Sequence, residues 1–140
     1  MPTTASVGCA AKFNITSREE ALYMFGGQED WRNSEDKTWD NPNINFSNRL
    51  YRLDLIRGDW KEIQTRGNSR RITNTPCCRS QSFIFIRKDQ LYVYGGYDGL
   101  NIFSDLYRLD LSTLEWHIVE VFNLLGPRQF VGKLYTCFIM

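Results

Sequence analysis

The chain has one histidine and four cysteines among its 140 residues, and that scarcity excludes several kinds of chemistry. A zinc site needs thiolate and imidazole ligands clustered at short spacing, which His117 alone cannot supply. A copper-dependent oxidase site needs several converging histidines and fails the same test. Cys9, Cys77, Cys78 and Cys137 are too few to form a disulfide scaffold for a chain of this size. Cys77 and Cys78 are adjacent, and neighbours on one strand face opposite ways, so they are poorly placed to pair or to chelate one ion. The cysteines read as buried, reduced thiols of a cytoplasmic protein, with the nucleus as the alternative.

Other absences narrow the field further. The 17 basic and 16 acidic side chains nearly cancel, so no global field draws the chain to nucleic acid or to an anionic membrane. No stretch approaches the roughly 20 apolar residues that span a bilayer. Residues 1–13 lack a basic region followed by an apolar one, so no secretory signal is expected, and the sequons at Asn14 and Asn45 read as chance matches. Gly-x-Ser-x-Gly, phosphate-cradling loops and paired metal ligands are all missing. The expectation is a protein that is not an enzyme and holds no cofactor.

What is present is a repeat. Apolar residues make up 42% of the chain and aromatics 14%, enough for a packed core, and the length suits one ordinary domain. The phrase LYRLDL occurs at 50–55 and again at 106–111, and each copy is followed five residues later by a tryptophan, Trp60 and Trp116. A second pair, ALYMFGG at 21–27 and QLYVYGG at 90–96, stands 69 residues apart, whereas the LYRLDL copies stand 56 apart. One unit is therefore written twice, and the first copy carries 13 extra residues between its Gly pair and LYRLDL.

Each unit reads as strands. Residues 22–25 and 91–94 are short, continuously apolar runs that suit strands covered on both faces. The Gly pair ends each run, since glycine takes positive φ and lets another backbone approach closely. In LYRLDL, Tyr51, Leu53 and Leu55 share one face and Arg52 and Asp54 the other, a split repeated at 107–111. This period of two predicts a strand more exposed on one side. The turns IRGD at 56–59 and STLE at 112–115 follow, with Asp54 and Asp110 as turn-capping residues, and then a fourth strand opened by Trp60 or Trp116. The first strand of the second unit falls in 82–86, and that of the first unit somewhere in 7–14. Arg57, Gly58 and Asp59 spell an integrin-type tripeptide, but their place is the tight turn. Four-stranded sheets apolar on both faces must stack on like sheets, and this predicts an all-β chain of propeller blades in which each tryptophan packs between blades.

These residues resemble the kelch repeat: a strand ending in Gly26/Gly27 or Gly95/Gly96, a spaced Tyr51 or Tyr107, and a tryptophan nine residues after that tyrosine. The resemblance implies a kelch-type β-propeller of four-stranded antiparallel sheets, incomplete as a ring in this chain. Blade 1 is expected over about 7–63 with a loop insertion at 28–49, blade 2 over about 79–121, and the start of a third blade at 126–140. Further blades from a longer chain, or self-association, would close the ring.

The resemblance also implies a non-catalytic protein-interaction module that binds a protein or peptide ligand through loops at one end of the blades. A role in substrate recognition within a cullin-type ubiquitin ligase is frequent among its members. A cofactor-dependent enzyme on the same scaffold, or a fragment without independent function, are the alternatives. Candidate contacts are Trp31, Arg32 and Trp39 in the insertion, Arg70, Arg71 and Arg79 in the stretch between blades, Tyr97, Asp98 and Asn101 in the second blade's loop, and Arg128. The arginines suit bidentate contacts with a partner's carboxylates. Neither nucleic acid nor a membrane is expected as a partner.

Overall fold

The computed structural model describes residues 4–5, 8–14, 19–29, 45–67 and 74–120. Among the described residues the named elements are strands: β1 (Thr4–Ala5), β2 (Gly8–Asn14), β3 (Glu19–Phe25), β4 (Gln28–Glu29), β5 (Asn45–Phe46), β6 (Leu50–Asp54), β7 (Trp60–Ile63), β8 (Phe83–Arg87), β9 (Gln90–Tyr94), β10 (Leu106–Asp110) and β11 (Glu115–Ile118). Two sheets of four antiparallel strands result, in the orders β2-β3-β6-β7 and β8-β9-β10-β11. They are called blade 1 and blade 2 below. A small third sheet, β1-β4-β5, forms where the base of the insertion continues the chain beyond blade 1.

The repeat is reproduced bond for bond. Gly26 N–H donates to Arg49 C=O in blade 1, and Gly95 N–H to Asp105 C=O in blade 2. Leu55 N–H donates to Glu20 C=O, and Leu111 N–H to Asp89 C=O. The Gly pairs adopt almost identical left-handed dihedrals, φ 71° and 104° in blade 1 and 63° and 107° in blade 2. At Gly26 a side chain would run into the carbonyl of Arg79, so the position needs glycine for both its φ and the close approach. Asp54 caps its turn by accepting from Ile56 and Arg57 N–H, as Asp110 does from Ser112 and Thr113 N–H.

The core lies between the blades. Blade 1 contributes Ala21, Tyr23, Phe25 and Leu50, and blade 2 contributes Ile84, Leu91, Val93, Leu109 and Trp116. Trp116 is 1% exposed, meets the Phe25 ring edge-on at 5.6 Å, and donates from Nε1 to Thr65 Oγ1 at 2.9 Å. Its backbone N–H is bonded to Arg66 C=O, so the Trp strand is stitched to the chain leaving blade 1.

Three expectations need correction. Trp60 is only half-buried, because the face it shares with Leu53 and Leu22 points away from blade 2 and no described residue plays the part that Phe25 and Thr65 play for Trp116. The Arg52 side of LYRLDL is the side turned to blade 2, so the charged face of this strand is not the solvent face. Arg52 is held there by Glu19 at 3.4 Å, and Lys12 joins Glu19 at 3.0 Å to Asp89 of blade 2 at 2.9 Å. Cys77 and Cys78 are exposed instead of buried, since they lie on the connection between the blades and not on a strand. Cys9's side chain and Cys137 lie outside the description, as does the expected third-blade start at 126–140.

Candidate functional site

Pairing register places the ends of β3 and β9, the starts of β6, β8 and β10, and both Gly pairs at one end of the two sheets. The short turns lie at the other end. The loop end is where the chain leaves its regular ladders for more than a tight turn, so it is where side chains can be presented on a rigid base.

The segment leading into β8 runs along the seam between the blades at this end. Arg79 C=O accepts from Gly27 N–H, and Arg79 N–H donates to Ser47 C=O, both at 2.9 Å and both in blade 1. One residue later Ser80 exchanges two backbone hydrogen bonds with Tyr97 of blade 2. The Arg79 side chain is fully buried. Its guanidinium grips Asp105 with both terminal nitrogens, donates to Gly95 C=O at 3.1 Å and Cys77 C=O at 3.0 Å, and lies 4.1 Å from the centre of the Phe103 ring. Burial works against its charge, but the hydrogen bonds and charge of Asp105 more than offset that, and its pKa stands above the ordinary arginine value. Arg79 is therefore a fastening between chain segments. Its expected role as a partner contact is withdrawn, because no donor is left facing solvent.

The second blade's loop is braced by Asp98. Its Oδ1 accepts from the backbone N–H of Leu100 and Asn101, and the Asn101 side chain also bonds the carboxylate. Its burial, the largest influence, raises the pKa, but the Asn101 and Leu100 N–H bonds bring it below the usual aspartate value. Tyr97 donates its hydroxyl to Gly99 C=O at 2.7 Å and meets Phe46 of the insertion's base edge-on at 6.0 Å. Tyr97, Asp98 and Asn101 thus come together, as shapers of the loop, and what the loop presents is Leu100, 91% exposed.

Sequence reasoning missed Leu100, Phe46, Gln81 and Ser82. The last two are buried in the seam, and Gln81 Nε2 and Oε1 and Ser82 Oγ have no hydrogen-bond partner. Gln81 also stands at φ 56°, a conformation most side chains avoid. A polar run directly before an apolar strand was the available signal. Trp31, Arg32, Trp39, Arg70, Arg71 and Arg128 lie outside the described residues. Among the described residues no group of His, Cys, Asp or Glu could hold a metal ion, and no helix is long and apolar enough to cross a membrane.

Comparison with known proteins agrees with this architecture. The KLHDC2/KLHL20/DRC7 Kelch-repeats domain matches residues 3–132. The chain belongs to the kelch-repeat family, and its two sheets are blades of a kelch-type propeller whose ring they do not close. Host cell factor homolog hcf-1 of Caenorhabditis elegans is 29% identical over 93% of this chain and 16% of its own length. Kelch domain-containing protein 10 of Homo sapiens is 26% identical over 75% of the chain and 21% of its own length. Acyl-CoA-binding domain-containing protein 5 of Arabidopsis thaliana is 30% identical over 74% of the chain and 13% of its own length. The chain spans about a fifth or less of the curated relatives it matches. Kelch domains are generally non-catalytic scaffolds that bind proteins.

Proposed function

We propose that the loop end of the two blades binds a protein or peptide partner, and that the chain serves as the recognition part of a cullin-type ubiquitin ligase. The observation that carries the binding surface is Leu100, a large apolar side chain held out in solvent on a loop that Asp98 braces from within. A preformed loop loses little entropy on binding, so an exposed leucine on it is a stronger anchor than one on a floppy segment. Trp31, Arg32, Trp39, Arg70, Arg71 and Arg128 remain proposed further contacts. We propose a cytoplasmic location, with the nucleus as the alternative, since four cysteines are too few for the disulfide scaffold of an oxidising compartment.

Affinity capture from cell extract with the wild-type chain and with Leu100→Asp tests both parts. The variant should melt like wild type and lose the captured proteins. Capture of the same proteins by both would remove the loop as the site. A cullin component among the wild-type captures is expected, and its absence would leave an interaction module without the ligase role.

A further inference from the structure

On a β-strand, neighbouring side chains point to opposite faces, and that geometry would keep Cys77 and Cys78 apart. Their place in the fold removes this obstacle. Both lie on irregular backbone between β7 and β8, and both thiols are exposed. The chain is anchored on either side of them. Pro76 is fully buried and its C=O accepts from Asn48 Nδ2 at 3.3 Å, while Arg79 is buried with its backbone bonded to Gly27 and Ser47. Cys77 is also tied to the fastening between the blades. Its C=O accepts from Arg79 Nε at 3.0 Å, and its Sγ accepts from Arg79 Nη2 at 3.1 Å. Two bonds of a buried guanidinium therefore end on a residue that solvent reaches.

We infer that Cys77 and Cys78 are a site of reversible oxidation, closing to a disulfide between neighbours in the presence of a low-molecular-weight disulfide. One thiolate attacks a sulfur of the small disulfide and releases one small thiolate, which leaves a mixed disulfide on the protein. The neighbouring thiolate attacks the protein sulfur of that mixed bond, and the second small thiolate leaves. The two protons of the cysteines pass to the released thiolates, so the protein pair is oxidised by two electrons and the small disulfide is reduced by two. Adjacent Cα atoms stand about 3.8 Å apart across a trans peptide, closer than the roughly 4.4–6.8 Å of ordinary disulfides. The bridge is therefore strained, and strained, exposed bridges are the easily reduced ones. That suits a transient bond of a reducing compartment and not a structural staple. Closing it draws Cys77 Sγ toward Cys78 and turns the peptide whose carbonyl Arg79 holds. Oxidation thus loosens Arg79 at the corner it fastens. None of this depends on what the loop end binds.

Mass spectrometry of the purified chain, equilibrated in a series of oxidised and reduced glutathione, tests the inference. After acid quenching, alkylation and digestion with trypsin, residues 72–79 form one peptide that carries these two cysteines and no other. With glutathione disulfide in excess, that peptide should carry no alkyl group and be lighter than its dithiol form by about 2 Da, the two hydrogens lost. Excess reduced glutathione should return it to the doubly alkylated form. The Cys78→Ser chain should instead hold glutathione on Cys77, because the thiol that would displace it is gone. The bridged wild-type chain should melt about 5 °C lower than the reduced one, as loss of bonds to a buried charge requires. Thiols unchanged across the series, stable glutathione on both cysteines, or a bridge from either one to Cys9 or Cys137 would each overturn the inference. Equal melting of the bridged and reduced chains would overturn the link to Arg79.

Discussion

Two tryptophans at the same place in the repeat have different energetic weight. Trp116 is enclosed by Phe25 and Tyr107 with its indole nitrogen bonded, so Trp116→Ala should cost about 3–5 kcal/mol, the usual range for emptying a buried aromatic site. Trp60 is half-buried on the open face, and Trp60→Ala should cost roughly 1 kcal/mol or less. Denaturant titrations of the two variants check the division, and equal losses would contradict it. Arg79 and Asp105 form an unequal pair as well. Asp105→Asn leaves a guanidinium buried without its countercharge and should cost roughly 3 kcal/mol. Arg79→Met leaves a carboxylate that is about a third exposed and can turn to water, so it should cost less, and the same titrations rank them. The sequence displayed the tryptophans clearly but not this difference, because burial depends on which neighbour a face meets. Arg79 was misplaced for a related reason: an arginine in the stretch between two blades looks like surface until its backbone is seen to bond Gly27 and Ser47.

At the scale of the element, the Gly pairs and the aspartate-capped turns were legible because each has a local cause. A turn that needs positive φ calls for glycine wherever it occurs, and a carboxylate two residues before free amides caps them without help from the rest of the fold. Gly26→Ala combines an unfavourable φ with a collision against the Arg79 carbonyl and should lose more than about 1 kcal/mol in a thermal or denaturant melt. The caps predict a pH dependence. The Arg57 N–H bond leads in holding Asp54 below the usual aspartate pKa, and the Gln90 side chain leads for Asp110. A carboxylate depressed in the folded state stabilises above its unfolded pKa and loses that contribution as pH falls through the folded one. The melting temperature should therefore drop below the ordinary aspartate range near pH 4, and a chain carrying Asp54→Asn and Asp110→Asn should show a shallower drop. Less legible was the first strand of blade 1, which lacks the apolar run of β8. Gly8 and Ala10 are small there, and the strand is recognised by its partner β3 more than by itself.

For the whole molecule, the shared core and the seam make the two blades one cooperative body. Amide hydrogen exchange should show β3 and β9 opening together, and Trp116→Ala should speed exchange in both sheets, since Phe25 loses its cover when the indole goes. Protection lost in one blade alone would show that each sheet stands by itself. The all-β architecture was readable at this scale because the repeat is long and its spacing is kept. The surface was not, since Leu100 stands out only once Asp98 has shaped the loop beneath it, and Gln81 only once its neighbours are counted. The seam also bears on how such chains grow in evolution. By sequence, Arg79 opens the second repeat, yet its backbone completes the Gly27 turn and the Ser47 corner of the first. The unit that is copied and the unit that is closed are out of phase, so a duplicated segment arrives already carrying the fastening for whatever stands before it, and the last copy in any array leaves its own corner to be finished by something else.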